Sequence, residues 1–211
     1  MTTRVDRDRS GNGVGAGERR ATVHRTTRET DVTVRLVLDG SGVTDVNTGI
    51  GFYDHLLSSL GHHGLFDLEV RATGDLHVDE HHTVEDVALV LGSAFAEALG
   101  DRAGIRRFGD AAVPMDESLA TAVVDVGGRP YAVVDLPFRS DRVGALPPQL
   151  IEHAVEAFAR TSGATINLRG SGTNDHHLAE AAFKALGRAL REACERDPRR
   201  TGVASTKGTA G

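Results

Sequence analysis

The sequence predicts an α+β fold built by internal duplication, and three observations lead there. A His-His-x-x-Glu motif occurs twice, as His81-His82-Thr83-Val84-Glu85 and as His176-His177-Leu178-Ala179-Glu180. Each copy runs into an Ala-rich apolar stretch of helical character, and each follows segments of the same type in the same order. A further His precedes each copy at a similar distance, His55 before His81 and His153 before His176. Each half thus reads strand, strand, helix carrying one His, strand, loop, motif, helix. Amphipathic helices and half-apolar strands in that order imply a sheet covered by two helices, with the two helical layers meeting in the middle.

Residues 1–20 are mostly Gly, Arg, Asp, Ser and Thr with little to bury, and are expected to form a disordered leader. The first repeat is expected over 21–104. Thr22–Thr26 and Asp31–Leu38 alternate with period two and read as strands, followed by a turn at Asp39-Gly40-Ser41-Gly42. A short extended piece reaches Thr48, Gly49-Ile50-Gly51 opens a helix over Phe52–Leu60, and Leu65–Ala72 is a strand. After the Gly74-Asp75 loop the first motif starts a helix to about Leu99. The second repeat is expected over 105–198. Its strands are Ala120–Val126 and Pro130–Leu136 around Gly127-Gly128, and Ala164–Arg169. Pro147-Pro148 precedes the His153 helix, and a long helix spans about His176–Arg196. A C-terminal segment, 199–211, closes the chain.

Composition narrows the class. Apolar content of 39% and charged content of 26% are those of an ordinary globular protein, and a net charge of −6 disfavours nucleic acid as a partner. No apolar run approaches a membrane span, so no membrane partner is expected. The single Cys194 excludes a disulfide framework and suits a reducing cytoplasm. Ten histidines are the unusual feature, six of them in the two motif pairs and at His55 and His153.

On a helix the first His and the Glu of each motif share a face, while the second His points about 100° away. Each copy therefore offers ligands in two directions, as a pair of metal sites requires. Imidazole and carboxylate without thiolate suit Mn²⁺, Fe²⁺, Co²⁺, Ni²⁺ or Zn²⁺ in a catalytic role. A symmetric division assigns His55, His81, Glu85 and His177 to one ion, and His153, His176, Glu180 and His82 to the other. Arg107, Arg129, Lys184 and the Ser205-Thr206-Lys207-Gly208 segment are candidate phosphate ligands, although each alone reads as a surface charge. Helical spacing puts Lys184 on the Glu180 face.

With these residues in view, residues 21–208 resemble the imidazoleglycerol-phosphate dehydratases of histidine biosynthesis. The resemblance rests on Arg28-Glu29-Thr30, Thr48–His55, Asp79–Asp86, Asp175–Glu180 and Ser205–Gly208. It implies a lyase that removes water from a small phosphorylated substrate, D-erythro-imidazoleglycerol phosphate, to give imidazole acetol phosphate by way of a metal-stabilised imidazolate. It also implies two Mn²⁺ per active site, four-stranded sheets outside the helices, and a 24-subunit homo-oligomer with sites at subunit interfaces. By the same carry-over Glu29 is the candidate acid/base, and His81, His82, Lys184 and Asp116 are further candidate catalytic residues. Arg107, Arg129, Lys184, Ser205 and Lys207 would hold the phosphate with His63 nearby, and His55 would touch substrate. Ser59 stands where many relatives carry a substrate-contacting Gln, and is too short to replace it directly. Two other classes fit paired metals: a two-metal hydrolase of a phosphorylated small molecule, and a non-catalytic metal-dependent assembly protein.

Overall fold

In the computed structural model, which describes residues 18–210, two four-stranded sheets enclose four helices. The expected leader lies outside the described residues except for Glu18, Arg19 and Arg20, the last of which opens the first strand. The first half comprises β1 (Arg20–Thr26), β2 (Thr30–Val37), β3 (Thr44–Asn47), α1 (Gly51–Gly64), β4 (Asp67–Gly74) and α2 (His81–Leu99). The second comprises β5 (Phe108–Met115), β6 (Ser118–Asp125), β7 (Tyr131–Asp135), α3 (Pro148–Ser162), β8 (Thr165–Ser171) and α4 (Asp175–Cys194). Sheet orders are β1-β2-β4-β3 and β5-β6-β8-β7, and in each the third strand returns through a helix to lie parallel to the fourth.

Alternation does the sorting. Val32, Val34 and Leu36 of β2, with Leu68 and Val70 of β4, point inward and are buried; Ala120, Ala122 and Val124 of β6 do the same in the other sheet. The helices of one half pack on those of the other, α1 against α4 and α2 against α3. Two glycines permit this. A Cβ on Gly187 of α4 would lie 2.4 Å from the Leu60 carbonyl oxygen of α1, and one on Gly92 of α2 would lie 2.6 Å from that of Phe158 in α3. Each glycine stands eleven residues beyond the first His of its motif, so the same crossing is built twice.

The structure revises several boundaries. The strand β5 goes unrecognised in the sequence because Gly109, Asp110 and Pro114 break its pattern. Helix α1 continues through His62 and His63 to Gly64, and Leu65, expected to open a strand, instead caps it in the left-handed region at φ 54°. The long C-terminal helix stops at Cys194, after which the chain turns to pair Arg196 with Ile105.

Candidate metal centres

The helix packing decides which histidines meet. Because α1 lies on α4, His55 joins His176 and Glu180; because α2 lies on α3, His153 joins His81 and Glu85. The symmetric division made from the sequence is therefore corrected. His55 belongs with the second motif and His153 with the first, since the halves contact through helices of opposite halves. In each group the three candidate ligand atoms lie within 4.8 Å of one another.

Local sequence sets each ligand. The Asn174 side chain caps α4 by accepting from the backbone N–H of His176 and His177. At α2, Asp79 Oδ1 accepts from His81 N–H at 2.8 Å. Asp54, in the first turn of α1, accepts from the Thr48 amide and hydroxyl at 2.8 and 2.6 Å and so fixes the loop leading to His55. Pro148 opens α3, the helix of His153.

The two groups differ in closure. In the α1/α4 group, Glu180 Oε1 lies 2.8 Å from His55 Nε2 and 2.9 Å from His176 Nε2, while Lys184 Nζ holds Oε2 at 2.7 Å. Burial opposes the Glu180 charge, but the Lys184 ammonium and both imidazoles outweigh it and hold the carboxyl at about 2. Phe52 packs against the His176 ring with centroids 4.9 Å apart. In the α2/α3 group the contacts are looser, 3.8 Å from His81 Nε2 to Glu85 Oε2 and 3.6 Å from His153 Nε2 to Oε1. Arg160 Nη2 occupies Oε1 there at 2.8 Å. His153 Nε2 is buried without a hydrogen-bond partner. A buried ring nitrogen facing a carboxylate and a second imidazole is what a metal ligand looks like without its ion, and two nitrogens with one oxygen suit a divalent transition metal.

The second histidines lie elsewhere. His82 Nδ1 sits 3.0 Å from Asp75 and 3.8 Å from Glu29; His177 Nδ1 sits 2.9 Å from Glu117 and 3.8 Å from Asp116. These carboxylates raise both imidazoles above their ordinary value, chiefly through Asp75 and Glu117 respectively. Anchoring through Nδ1 fixes each ring and leaves Nε2 as the nitrogen without a carboxylate contact. Glu29 and Asp116 occupy equivalent turns, β1–β2 and β5–β6, both exposed. Asp116 is held at φ 48°. Asp75 and Glu117 were missed in the sequence; loop carboxylates adjoining no motif gave no signal.

The candidate phosphate ligands divide. Lys184 is on the Glu180 pair, and His63, at the end of α1, is lowered by burial and by Lys184. Ser59 is buried in α1. Arg107, Arg129, Ser205 and Lys207 gather at the opposite end of the chain. Arg107 donates to both Asp125 oxygens at 2.7 and 2.9 Å and to the Ala204 carbonyl at 2.5 Å, so its guanidinium fastens the segment bearing Ser205 and Lys207. Its backbone N–H bonds the Ala193 carbonyl. From His176 to Ala193 the helix α4 runs roughly 25 Å. A second ruler agrees: Arg19 bonds the Cys194 carbonyl, and from Arg19 the strand β1 leads away to Thr26, roughly 23 Å in extended chain, where the turn bearing Glu29 begins. The imidazole-rich end and the basic end of one chain are thus far apart.

A family model described as imidazoleglycerol-phosphate dehydratase matches residues 48–190. The chain is 52% identical over 192 residues to the imidazoleglycerol-phosphate dehydratase of Gluconacetobacter diazotrophicus, spanning 90% of this chain and 97% of that one. To the chloroplastic enzyme of Pisum sativum it is 53% identical over 188 residues, spanning 88% and 67%. Crystal structures of the Pyrococcus furiosus and Staphylococcus aureus enzymes superpose with TM-scores of 0.77 and 0.76 at 37% and 32% identity. They cover 89% and 84% of this chain and 99% of each of theirs.

Proposed function

The chain belongs to the imidazoleglycerol-phosphate dehydratase family of histidine-biosynthesis enzymes, and from that we propose how its residues remove water from D-erythro-imidazoleglycerol phosphate to give imidazole acetol phosphate. The observation that carries the reading is the pair of His–His–Glu groups, each assembled from both halves. We read them as two Mn²⁺ sites, each completed by an imidazole from a neighbouring copy, His82 for one and His177 for the other. When bound, the cations would stabilise negative charge on the substrate's imidazole ring and so ease departure of the hydroxyl on the adjacent carbon.

The remaining work falls to side chains. Glu29, exposed on its turn beside His82, takes the hydrogen from the next carbon. Asp116, at the equivalent turn beside His177, stands ready to handle a proton on the other face. Lys184, held at Glu180, keeps that carboxylate charged for its ligating role. Arg129 and Lys207, both exposed, would carry the charge that meets the substrate phosphate, while Arg107 holds the Ser205 turn in shape.

The distance between imidazole-rich and basic ends supports sites shared between subunits, as does the placement of His82 and His177 outside both three-residue groups. A 24-subunit assembly and a cytoplasmic setting complete the proposal; among the described residues no helix is long and apolar enough to cross a membrane. The test is direct. With Mn²⁺, purified protein should convert imidazoleglycerol phosphate to a keto product detected by absorbance in alkali, without releasing phosphate. Phosphate release would identify a hydrolase instead. Glu29→Gln should retain metal and native mass yet lose at least about a hundredfold in turnover.

A further inference from the structure

One residue beyond the ligand Glu85, the side chain of Asp86 turns into the protein, only 7% exposed. Its Oδ2 accepts from the Thr30 hydroxyl, and its Oδ1 pairs with Arg25. Thr30, 5% exposed, opens β2, and Arg25 lies in β1, so the carboxylate grips both strands beneath their connecting turn. From Thr30 the bonding continues upward. The Thr30 and Thr27 hydroxyl oxygens are 3.2 Å apart, and Thr27 Oγ1 accepts from the backbone N–H of Thr30 and of Glu29 at 3.0 and 3.1 Å. An unbroken chain of hydrogen bonds thus joins the helix of Glu85 to the backbone of Glu29.

The other half lacks this strap. Ala181 stands where Asp86 would be, directly after Glu180. The equivalent turn is held from outside, by Glu117 Oε1 accepting from the amides of Thr173 and Asn174 and from the Ser118 hydroxyl. Duplication therefore preserved the imidazole and carboxylate candidates in both halves, but the coupling differs: in the first half a buried carboxylate of the motif helix reaches out to the turn, whereas in the second Glu117 of the turn reaches the start of α4 through the Asn174 amide and His177 Nδ1.

We propose that Asp86 is a positioning residue for the dehydration, setting Glu29 through Thr30 and Thr27 at a fixed height relative to the Glu85 helix. The inference rests on the reading of Glu29 as acid/base. A carboxylate that must meet a carbon-bound hydrogen gains most of its advantage from being held in place, and a displacement of about 1 Å costs up to about a hundredfold. Asn at position 86 would keep an acceptor for one partner but turn an amide N–H₂ toward the other.

Four substitutions, three of them singly and Asp86→Asn also on a Glu29→Gln background, decide it in the Mn²⁺-loaded protein. Asp86→Asn and Thr30→Val should each lower kcat at least about tenfold, with KM and bound metal changed less than twofold. Thr30→Ser, which keeps the hydroxyl, should restore most of the loss. On a Glu29→Gln background, Asp86→Asn should cost nothing further. Equal losses on both backgrounds, a Thr30→Ser variant as poor as Thr30→Val, or metal loss in proportion to activity would each overturn the inference while leaving the Glu29 assignment standing. Full turnover by Glu29→Gln alone would overturn that assignment and this inference together. Should Asp86→Asn fail to fold, the Thr30 pair and Glu29→Gln combined with Thr30→Val make the same comparison.

Discussion

At the scale of single residues, the two candidate metal groups share a plan but not a state. Glu180 presents one oxygen to both imidazoles because Lys184 occupies the other, whereas Arg160 takes the Glu85 oxygen that faces His153. A charged hydrogen bond to the ligating atom must be given up before a cation can use it. Arg160 is largely exposed and can swing away, so the cost is modest. Manganese titration of metal-stripped protein should accordingly show two affinity classes, the weaker one abolished by His153→Ala. Arg160→Gln should tighten that weaker class by several fold and leave the other alone; unchanged affinities would show that the ion pair does not compete. A different residue-scale effect belongs to Asp125. Burial opposes its charge, but Arg107 more than offsets this and holds its carboxyl below the ordinary value. A depressed carboxyl contributes its stability above the unfolded pKa of about 4 and loses it as pH falls through the lower folded value. Acid should therefore loosen the 199–210 segment before the sheets unfold. Asp125→Asn should do so at neutral pH, at a cost of about 2 kcal/mol, read by hydrogen exchange at Ala204 and Ser205.

At the scale of elements, the helix crossings make the centres. Gly187 lets α1 sit against α4, and a methyl there would meet the Leu60 carbonyl. Gly187→Ala should cost about 1–3 kcal/mol by overpacking and should weaken the His55–His176–Glu180 site selectively, because the shift separates the helices that supply it. Comparison of metal affinity at the two sites, alongside thermal unfolding, tests this; an equal loss at both would mean general destabilisation. The same crossings explain what sequence alone could and could not reveal. Period and spacing placed every helix and most strands, since burial of one face is a local pattern. The phase of His81 against His82 also followed from helical geometry. Which helices face each other is a long-range fact, and the symmetric division grouped His55 with the motif of its own half, whereas the α1–α4 crossing brings it to the other. Gly92 and Gly187, at matching offsets in apolar helices, were the available clue to the crossing. The strand β5 escaped because Gly109 is there for close approach to α4, where a Cβ would meet the Ala189 carbonyl, and not for strand propensity.

At the scale of the whole molecule, the chain has two chemical poles. Glu29, His82 and the motif histidines lie at one, and Arg129, Ser205 and Lys207 lie near the other, with α4 and β1 as rulers between them. A small phosphorylated imidazole cannot span roughly 25 Å, so an active site using both sets must draw them from different copies. This makes a prediction that no single-chain site would satisfy. Glu29→Gln and Arg129→Ala should each be nearly inactive as pure assemblies. Dissociated, mixed in equal amounts and reassembled, they should regain activity, because some sites then combine an intact Glu29 from one subunit with an intact Arg129 from another. Random mixing sets the ceiling at about a quarter of the wild-type rate if each site takes these two residues from separate chains. Recovery would fail if both residues of a site came from one chain, since every site would then carry one lesion or the other. Mixing two preparations of the same variant provides the baseline, and native mass confirms that the mixed assembly has the size of the parent.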